Sequence, residues 1–285
     1  MWLRNAFRAH SDGPPVYLAN GQPALVCSPN ARYLDGGLAK ICSIPRLRCL
    51  NLVHRAALTD EDLSALSAAQ GLEELDVDGC DQITARGVAR LPALRNLKRL
   101  GLYGLRAVED SFGRPGAFPR LEALWFSCHS VSRLTLAHLP RLTWLSLPFC
   151  FELQALTLDG VEALEDLSLF ECARFADAGV EHLGHHAGLS RLGLHGTDVT
   201  DAGVARLSEF HALEDLDLCA TQITDAALPH LTRLTGLREL ALERCPRLTP
   251  AGVRRLEAAM PWCVITSDYA SGGESALLPR SVTYA

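Results

Sequence analysis

The sequence predicts an α/β solenoid, a single elongated body with an inner parallel β-sheet and short outer helices. Three observations lead to this prediction: a repeat of nearly fixed length, alternating apolar residues within each repeat, and a helix-start signal after them. The pattern LxxLxLxx occurs nine times, at steps of 21 to 25 residues. Such self-similarity is typical of stacked repeats. The leading leucines are Leu47, Leu72, Leu97, Leu121, Leu142, Leu164, Leu189, Leu213 and Leu237.

The strand of each repeat is visible in the second one, LEELDVDGC. There Leu75 and Val77 alternate with the acidic residues Glu74, Asp76 and Asp78. Alternation with a period of two predicts a short strand that has one buried face. The nine equivalent segments therefore predict nine neighbouring strands.

The corner after each strand carries a small residue. Cys80 is predicted to turn the chain inward, because a small, weakly polar side chain fits a buried corner whose backbone groups need partners. Ile83 then enters the core, and Thr84 is the expected N-cap of an outer helix from which Val88 and Leu91 face inward. The equivalent corners are Cys150, Cys172, Cys245, Thr197 and Thr221, with Arg55, Leu105 and His129 as departures.

The motif C-x-x-[IVL]-T-x-x-[GA]-[VL] after L-x-x-L-x-L resembles the cysteine-containing class of leucine-rich repeats, found in F-box adaptors and many bacterial proteins. The resemblance covers residues 47–266. It implies a right-handed horseshoe with parallel strands inside the curve and helices outside. It also implies protein–protein interaction, often as the recognition half of a larger machine. Residues 1–46 do not resemble an F-box, so assembly into a ubiquitin ligase is not indicated.

The ends of the array must differ from its middle, because stacked units leave apolar ends. VYLANGQPALVC predicts a hairpin with an Asn20-Gly21 turn, and PWCVIT predicts a last short strand. The polar tail is expected to be either disordered or folded back over the last repeat. The predicted organisation is an arm at 1–13, a hairpin cap at 14–46, nine repeats plus a capping strand at 47–266, and a tail at 267–285.

Three repeats are irregular on the outside. In repeats four and five, Leu134, Leu136, Leu156 and Leu158 alternate with polar residues and the helix-start signal is missing. We expect extended chain there, and therefore a locally flatter curve. Repeat three carries SFGRPGAFPR, which predicts an irregular loop.

Side-chain parity predicts which residues face into the curve. Positions three, five and seven of each repeat point there, while positions four and six are core. Eight of the 33 acids but only two of the 27 bases occupy this face, so the rest of the chain carries 25 of each. The acids either form a solvated face or orient a basic partner. They are Glu74, Asp76, Asp78, Asp166, Asp215, Asp217, Glu239 and Glu243, and the bases are Arg99 and Arg191.

The same face collects aromatic residues in its middle. Tyr103, Trp125, Trp144 and Phe170, with His195 beyond them, are predicted to form one patch because neighbouring strands lie about 4.8 Å apart. Partly exposed rings are typical interface anchors, although packing for stability is the alternative. The predicted partner-binding residues are Glu74, Asp76, Asp78, Tyr103, Trp125, Trp144, Asp166, Phe170, His195, Asp215 and Asp217.

Chemical sites are not indicated. A straight strand of acids does not wrap around calcium, and Arg99 is expected to neutralise Glu74. His182, His185 and His186 fit surface or capping roles better than zinc binding. No catalytic motif stands out, and only the thiols near the inner surface (Cys49, Cys128 and Cys219) keep an enzyme hypothesis open. We expect no cofactor and no metal.

These observations predict a non-catalytic recognition module that binds a protein or peptide, preferably basic, on its concave face. The alternatives are an inhibitor or immunity-type protein that occludes a basic enzyme, a substrate adaptor of a larger complex, or an enzyme. A net charge of −6 gives no nucleic-acid footprint. No apolar run is long enough for a membrane span and the start lacks a secretory signal. Buried corners explain four of the ten cysteines without disulfides, which favours a reducing, cytoplasmic setting.

Overall fold

The computed structural model describes the repeat region almost completely. The described residues are 16–17, 23–26, 37–42, 46–54, 57–91, 94–105, 112, 115–183, 186 and 188–269. The predicted arm, the Asn20-Gly21 turn, Arg55, His185 and the tail from residue 270 lie outside them. No helix in the described part of the chain combines the length and the apolar character that a membrane crossing requires.

Short strands recur once per repeat. Twelve of the fourteen described strands form one sheet, in which β1 and β2 pair antiparallel and all other neighbours pair parallel. The strands are β1 (Val16–Tyr17), β2 (Pro23–Val26), β3 (Cys49–Asn51), β4 (Glu74–Asp76), β5 (Arg99–Leu102), β6 (Ala123–Phe126), β7 (Arg133–Ala137), β8 (Trp144–Ser146), β9 (Ala155–Asp159), β10 (Asp166–Ser168), β11 (Arg191–Gly193), β12 (Asp215–Asp217), β13 (Glu239–Ala241) and β14 (Val264–Thr266).

The register of this sheet aligns equivalent residues of successive repeats. The leucine at position four pairs with the leucine at position four of the next strand, from Leu50 in β3 to Leu240 in β13. These leucines are buried and belong to one continuous core. The predicted alternation is therefore confirmed: position four enters the core, and the positions on either side of it lie on the opposite face of the strand.

The segments that connect one strand of the twelve-stranded sheet to the next, here called the outer side, contain helices in some repeats and extended chain in others. The helices are α1 (Gly37–Cys42), α2 (Asp60–Ser64), α3 (Ala85–Val88), α4 (Asp177–His182), α5 (Asp201–Leu207), α6 (Leu228–Leu231) and α7 (Pro250–Ala259), with 3₁₀ turns at Ala65–Ala68 and Asp225–Ala227. Repeats four and five instead contribute β7 and β9, which pair parallel as a separate two-stranded sheet. The predicted extended chain is confirmed there. In repeat three, the described residues 115–120 form turns and bends.

The corner cysteines join consecutive repeats. The thiols of Cys80, Cys172 and Cys245 donate to carbonyl oxygens of the preceding repeat, at 3.1, 3.0 and 3.1 Å. The threonines at the same position donate to carbonyls of their own repeat: Thr197 Oγ1 to Leu194 and Thr221 Oγ1 to Leu218, both at 2.7 Å. A small donor at this corner therefore satisfies a buried backbone acceptor, as the sequence predicts.

A second set of hydrogen bonds joins the outer segments. The Asp201 carboxylate accepts the backbone N–H and the hydroxyl of Thr224, the N-cap of the next repeat, both at 2.7 Å. In three of the four pairs, a glycine three residues after the threonine leaves room for the carboxylate, since a Cβ at Gly203 would lie 2.5 Å from Asp177 Oδ1. The T-D-x-G-V pattern thus encodes contacts between repeats. The same pairing links Asp60 to Thr84, Asp177 to Thr200 and Asp225 to Thr249.

The residue after position seven has left-handed backbone geometry in most repeats. It is a glycine in three of them, but Ala220 adopts φ 55° there. A residue with a Cβ is strained by about 1–2 kcal/mol in this region, whereas glycine is not. The other residues are His54, Gly79, Gly104, Phe149, Glu171, Gly196 and Arg244.

We expect Ala220→Gly to stabilise the fold by about 0.5–1 kcal/mol, because relief of this strain outweighs the added freedom of the unfolded chain. Urea unfolding followed by circular dichroism measures the change. The matched control is Ala202→Gly in α5, where helical geometry suits alanine and a loss of about 0.5–1 kcal/mol is expected. Equal destabilisation by both variants would contradict the argument.

Candidate functional site

The candidate site is the side of the twelve-stranded sheet that carries positions three, five and seven, here called the open face. Position-four leucines lie on the other side, in the core. Because the strands are parallel and in register, equivalent side chains form rows across neighbouring repeats. All eleven predicted partner-binding residues occupy these positions.

Trp125 is built into the open face and does not project from it. Its indole lies over β5, where a Cβ at Gly101 would be 2.4 Å from the ring. The indole N–H donates to Asp78 Oδ2 at 2.9 Å. Only 7% of the residue is exposed, so the expectation of a partly exposed ring is wrong for Trp125. Trp125 is buried because Gly101 has no side chain, which leaves space for the indole over β5.

Asp76 and Asp78 are held by the same arrangement. Asp76 is buried and accepts the Asp78 backbone N–H at 3.1 Å, while the Tyr103 N–H donates to Asp78 Oδ1 at 2.6 Å. Burial raises the pKa of Asp76, and burial followed by the charge of Asp76 raises the pKa of Asp78 further. These two acids therefore support the face from within and present little free charge to a partner.

The rings that remain partly exposed form a continuous row, here called the aromatic band: Tyr103, Phe149, Phe151, Phe170 and His195. Phe149 contacts Tyr103, Phe151 and Phe170 with centroid separations of 6.2, 5.9 and 5.4 Å. The imidazole of His195 stacks on Phe170 at 4.7 Å. Phe151 is 44% exposed. Trp144 packs edge-on against Trp125 at 5.9 Å beside this band, so the predicted aromatic residues meet in two groups.

The charged residues of the open face divide into paired and unpaired acids. Arg99 pairs with Glu74, as expected, and Arg191 Nε donates to Asp166 Oδ2 at 2.7 Å. Within the described part of the chain, Asp215 and Glu239 have no ion pair. Burial, followed by the charge of Glu239, raises the pKa of Asp215 to about 6. The end of the face around β12 and β13 is therefore its most negative part.

We expect Asp215→Asn to stabilise the protein at pH 7.5. Because the folded pKa of Asp215 is raised, its protonated form stabilises the fold, and this contribution is fully present below the unfolded pKa of about 3.9. The contribution is lost as pH rises through the folded pKa of about 6, where the partly buried carboxylate becomes charged. Partial exposure screens the effect to about 1 kcal/mol. Urea unfolding at pH 7.5 and pH 4 measures it, and the advantage of the variant should disappear at pH 4. The same advantage at both values would contradict the electrostatic cause.

The thiols on this face are buried, and their surroundings do not activate them. Burial raises the pKa of Cys49 to about 11. Burial, together with Asp217 and Glu243, raises the pKa of Cys219. A nucleophilic thiolate requires a lowered pKa and access to solvent, so these residues do not suggest covalent catalysis.

On the outer side, the His182 imidazole bonds to the Ala178 carbonyl of its own helix at 2.6 Å.

Sequence reasoning missed Phe149 and Phe151 as members of the aromatic band. Both follow position seven of the fifth repeat, where strand parity no longer predicts direction. Phe149 has a left-handed backbone (φ 57°), and its ring lies between those of Tyr103 and Phe170. The sequence does carry a signal, since PFCF places two aromatics around a corner cysteine.

The register and the repeat pattern define a protein like those with leucine-rich repeats. It is an α/β array with one parallel strand per leucine-containing unit. No protein-family model matches the sequence. Two solved structures are partly similar. The crystal structure of human 5T4 (Wnt-activated inhibitory factor 1, trophoblast glycoprotein) is 21% identical over 62% of this chain and 71% of that chain, with a TM-score of 0.38. In the yeast Rad7–Elc1 complex, the matching chain is 15% identical over 84% of this chain and 88% of that chain, also with a TM-score of 0.38.

Proposed function

We propose that this protein is a non-catalytic recognition module that binds a protein or peptide on its open face. The aromatic band is the observation that carries the proposal, because adjacent, partly exposed rings supply large contact areas at small conformational cost. Trp125, Asp76 and Asp78 support this surface, and Tyr103, Trp144, Phe170 and His195 contact the partner. Phe149 and Phe151 extend the contact.

The charge of the face selects the partner. Asp76 and Asp78 present little free charge, so the acids available to a partner are mainly Asp215, Asp217 and Glu239, which lie beyond the His195 end of the aromatic band. We infer that the partner combines an apolar segment with a basic one, because complementary charge steers association and fixes orientation. Binding should therefore weaken as ionic strength rises.

We also infer that the array is right-handed and curved, with the open face inside, and that its repeats are of the cysteine-containing class. The hydrogen bonds of Cys80, Cys172 and Cys245 to the preceding repeat support the class. Curvature would bring the rings and the acids toward one bound segment. The setting we infer is cytoplasmic, in keeping with thiols that serve as hydrogen-bond donors.

The double variant Phe151→Ala/Phe170→Ala tests the proposed surface. We expect partners captured by the wild-type protein from a reduced native lysate to be lost, because one anchoring ring contributes about 2 kcal/mol or more. In a direct titration of a recovered partner, binding should weaken at least about 30-fold. Quantitative mass spectrometry and calorimetry give the two readouts.

The matched control is Trp262→Ala, since Trp262 is 48% exposed but precedes β14 and does not occupy position three, five or seven. It should retain every partner. Native circular dichroism of all variants separates binding from folding. Retention of the same partners at the same affinity by the double variant would overturn the proposal.

A further inference from the structure

Three neighbouring repeats place different donor atoms at one end of the open face. His195, Cys219 and Glu243 all occupy position seven of their repeats, after β11, β12 and β13, and Asp217 occupies position five. One ligand atom from each of His195, Asp217 and Cys219 lies within 4.8 Å of the other two. The Cys219 thiol also donates to Glu243 Oε2 at 2.8 Å. One nitrogen, one sulfur and one carboxylate oxygen therefore converge, and the Glu243 carboxylate lies beside the thiol.

Neighbouring groups orient these donors. His195 Nδ1 lies 3.9 Å from Asp217 Oδ2, while its Nε2 lies 3.6 Å from Glu171 Oε1. A carboxylate behind a histidine is the arrangement that fixes the ring and its tautomer at metal sites. The stacking on Phe170 holds the same ring from its face. The backbone N–H of Cys219 donates to Asp217 Oδ1 at 2.8 Å and fixes that carboxylate.

We propose that His195, Asp217 and Cys219 bind a divalent transition-metal ion of the zinc class, and that Glu243, which contacts the Cys219 thiol, completes the set. Zinc takes tetrahedral sets of imidazole nitrogen, thiolate and carboxylate at about 2.0–2.3 Å. The donors here need to move together by about 1 Å to reach that geometry. Calcium and magnesium prefer oxygen donors alone, so the sulfur and the imidazole select the transition metal. On binding, the Cys219 sulfur bonds to the ion and its proton leaves to solvent.

Charge and access favour such an ion. The Asp217 side chain is 38% exposed. An ion from solvent can therefore bind this carboxylate first and then reach the buried Cys219 thiol beside it. β11 has no side chain at position five, because Gly193 stands beside Asp217 there. Asp215 lies two residues before Asp217 on β12, and Glu239 lies beside Asp215 on β13. A divalent cation would compensate the most negative part of the open face.

Titration of the fully reduced protein with Co²⁺ alone tests the proposal. We expect a saturable 1:1 thiolate-to-cobalt charge-transfer band with the visible absorption of tetrahedral cobalt, and its disappearance when Zn²⁺ is added. Cys219→Ser should abolish the band. Glu171→Gln should weaken Zn²⁺ binding by about 10- to 100-fold, as loss of a group behind a ligand does at other sites.

The matched control is Cys49→Ser. The Cys49 thiol also faces a carboxylate of the next strand, Glu74, at 3.6 Å, and this variant should keep the cobalt band. Absence of the band in the folded wild-type protein would overturn the proposal, as would a band that persists in Cys219→Ser. The metal readout needs no partner, so this inference stands or fails separately from the proposed recognition function.

Discussion

Replacement of Trp125 by alanine is expected to lower the free energy of unfolding by about 3–5 kcal/mol. Trp125 is 7% exposed, and its ring fills the space that Gly101 leaves above β5. Removal of the indole leaves a cavity and takes a hydrogen-bond donor from the partly buried carboxyl of Asp78. Equilibrium urea unfolding followed by circular dichroism measures the loss.

Two further variants separate packing from the hydrogen bond. Trp125→Phe keeps a large ring without the N–H, and should cost about 1–3 kcal/mol. Gly101→Ala places a Cβ into the ring and should cost a similar amount by overpacking, about 1–3 kcal/mol. Trp262→Ala is the control, because truncation of an exposed ring should stay within about 0.5 kcal/mol. If Trp125→Ala cost no more than Trp262→Ala, the assigned structural role would be wrong.

The second large effect is expected for Asp201→Ala, which should cost about 2–3 kcal/mol. The Asp201 carboxylate accepts both the N–H and the hydroxyl of Thr224. Its loss leaves the start of the next outer segment without an acceptor and separates two repeats on the outer side. The same unfolding measurement applies, with the transition midpoint and its slope reported together, because loosened coupling between repeats also lowers cooperativity.

Asp198→Ala is the matched control for this prediction. Asp198 lies three residues earlier and is exposed, and within the described residues its side chain makes no hydrogen bond or ion pair. Its replacement should change the unfolding free energy by less than about 0.5 kcal/mol. Equal costs for Asp198→Ala and Asp201→Ala would show that the carboxylate pairing with Thr224 contributes nothing.

Local patterns in the sequence predict the strands, the corners and the helix starts because short-range physics sets each of them. Alternation places Leu75 in the core and Glu74 on the open face, and a small donor at Cys80 suits a buried corner. Thr84 caps its helix by accepting the Arg86 N–H at 3.2 Å. Each of these features needs only the chain within a few residues.

The candidate site is predicted less completely because its contacts cross between repeats. Strand parity places Trp125 and Asp78 on one face, but it does not predict the contact between them. That contact depends on Gly101, which has no side chain and lies on the intervening strand β5. The aromatic band includes Phe149, which parity does not predict.

The sequence alone determined that this protein is an array of leucine-containing repeats with a parallel sheet, since the period and the alternation leave one way to bury the leucines of nine repeats. The tertiary structure decided which open-face residues are available. It buried Trp125 against Gly101, paired Arg191 with Asp166, and gathered His195, Asp217 and Cys219 within 4.8 Å. The physical reason is that strand direction is a local property, whereas the final position of a side chain depends on neighbours about 24 residues away in the sequence, one strand spacing across the sheet.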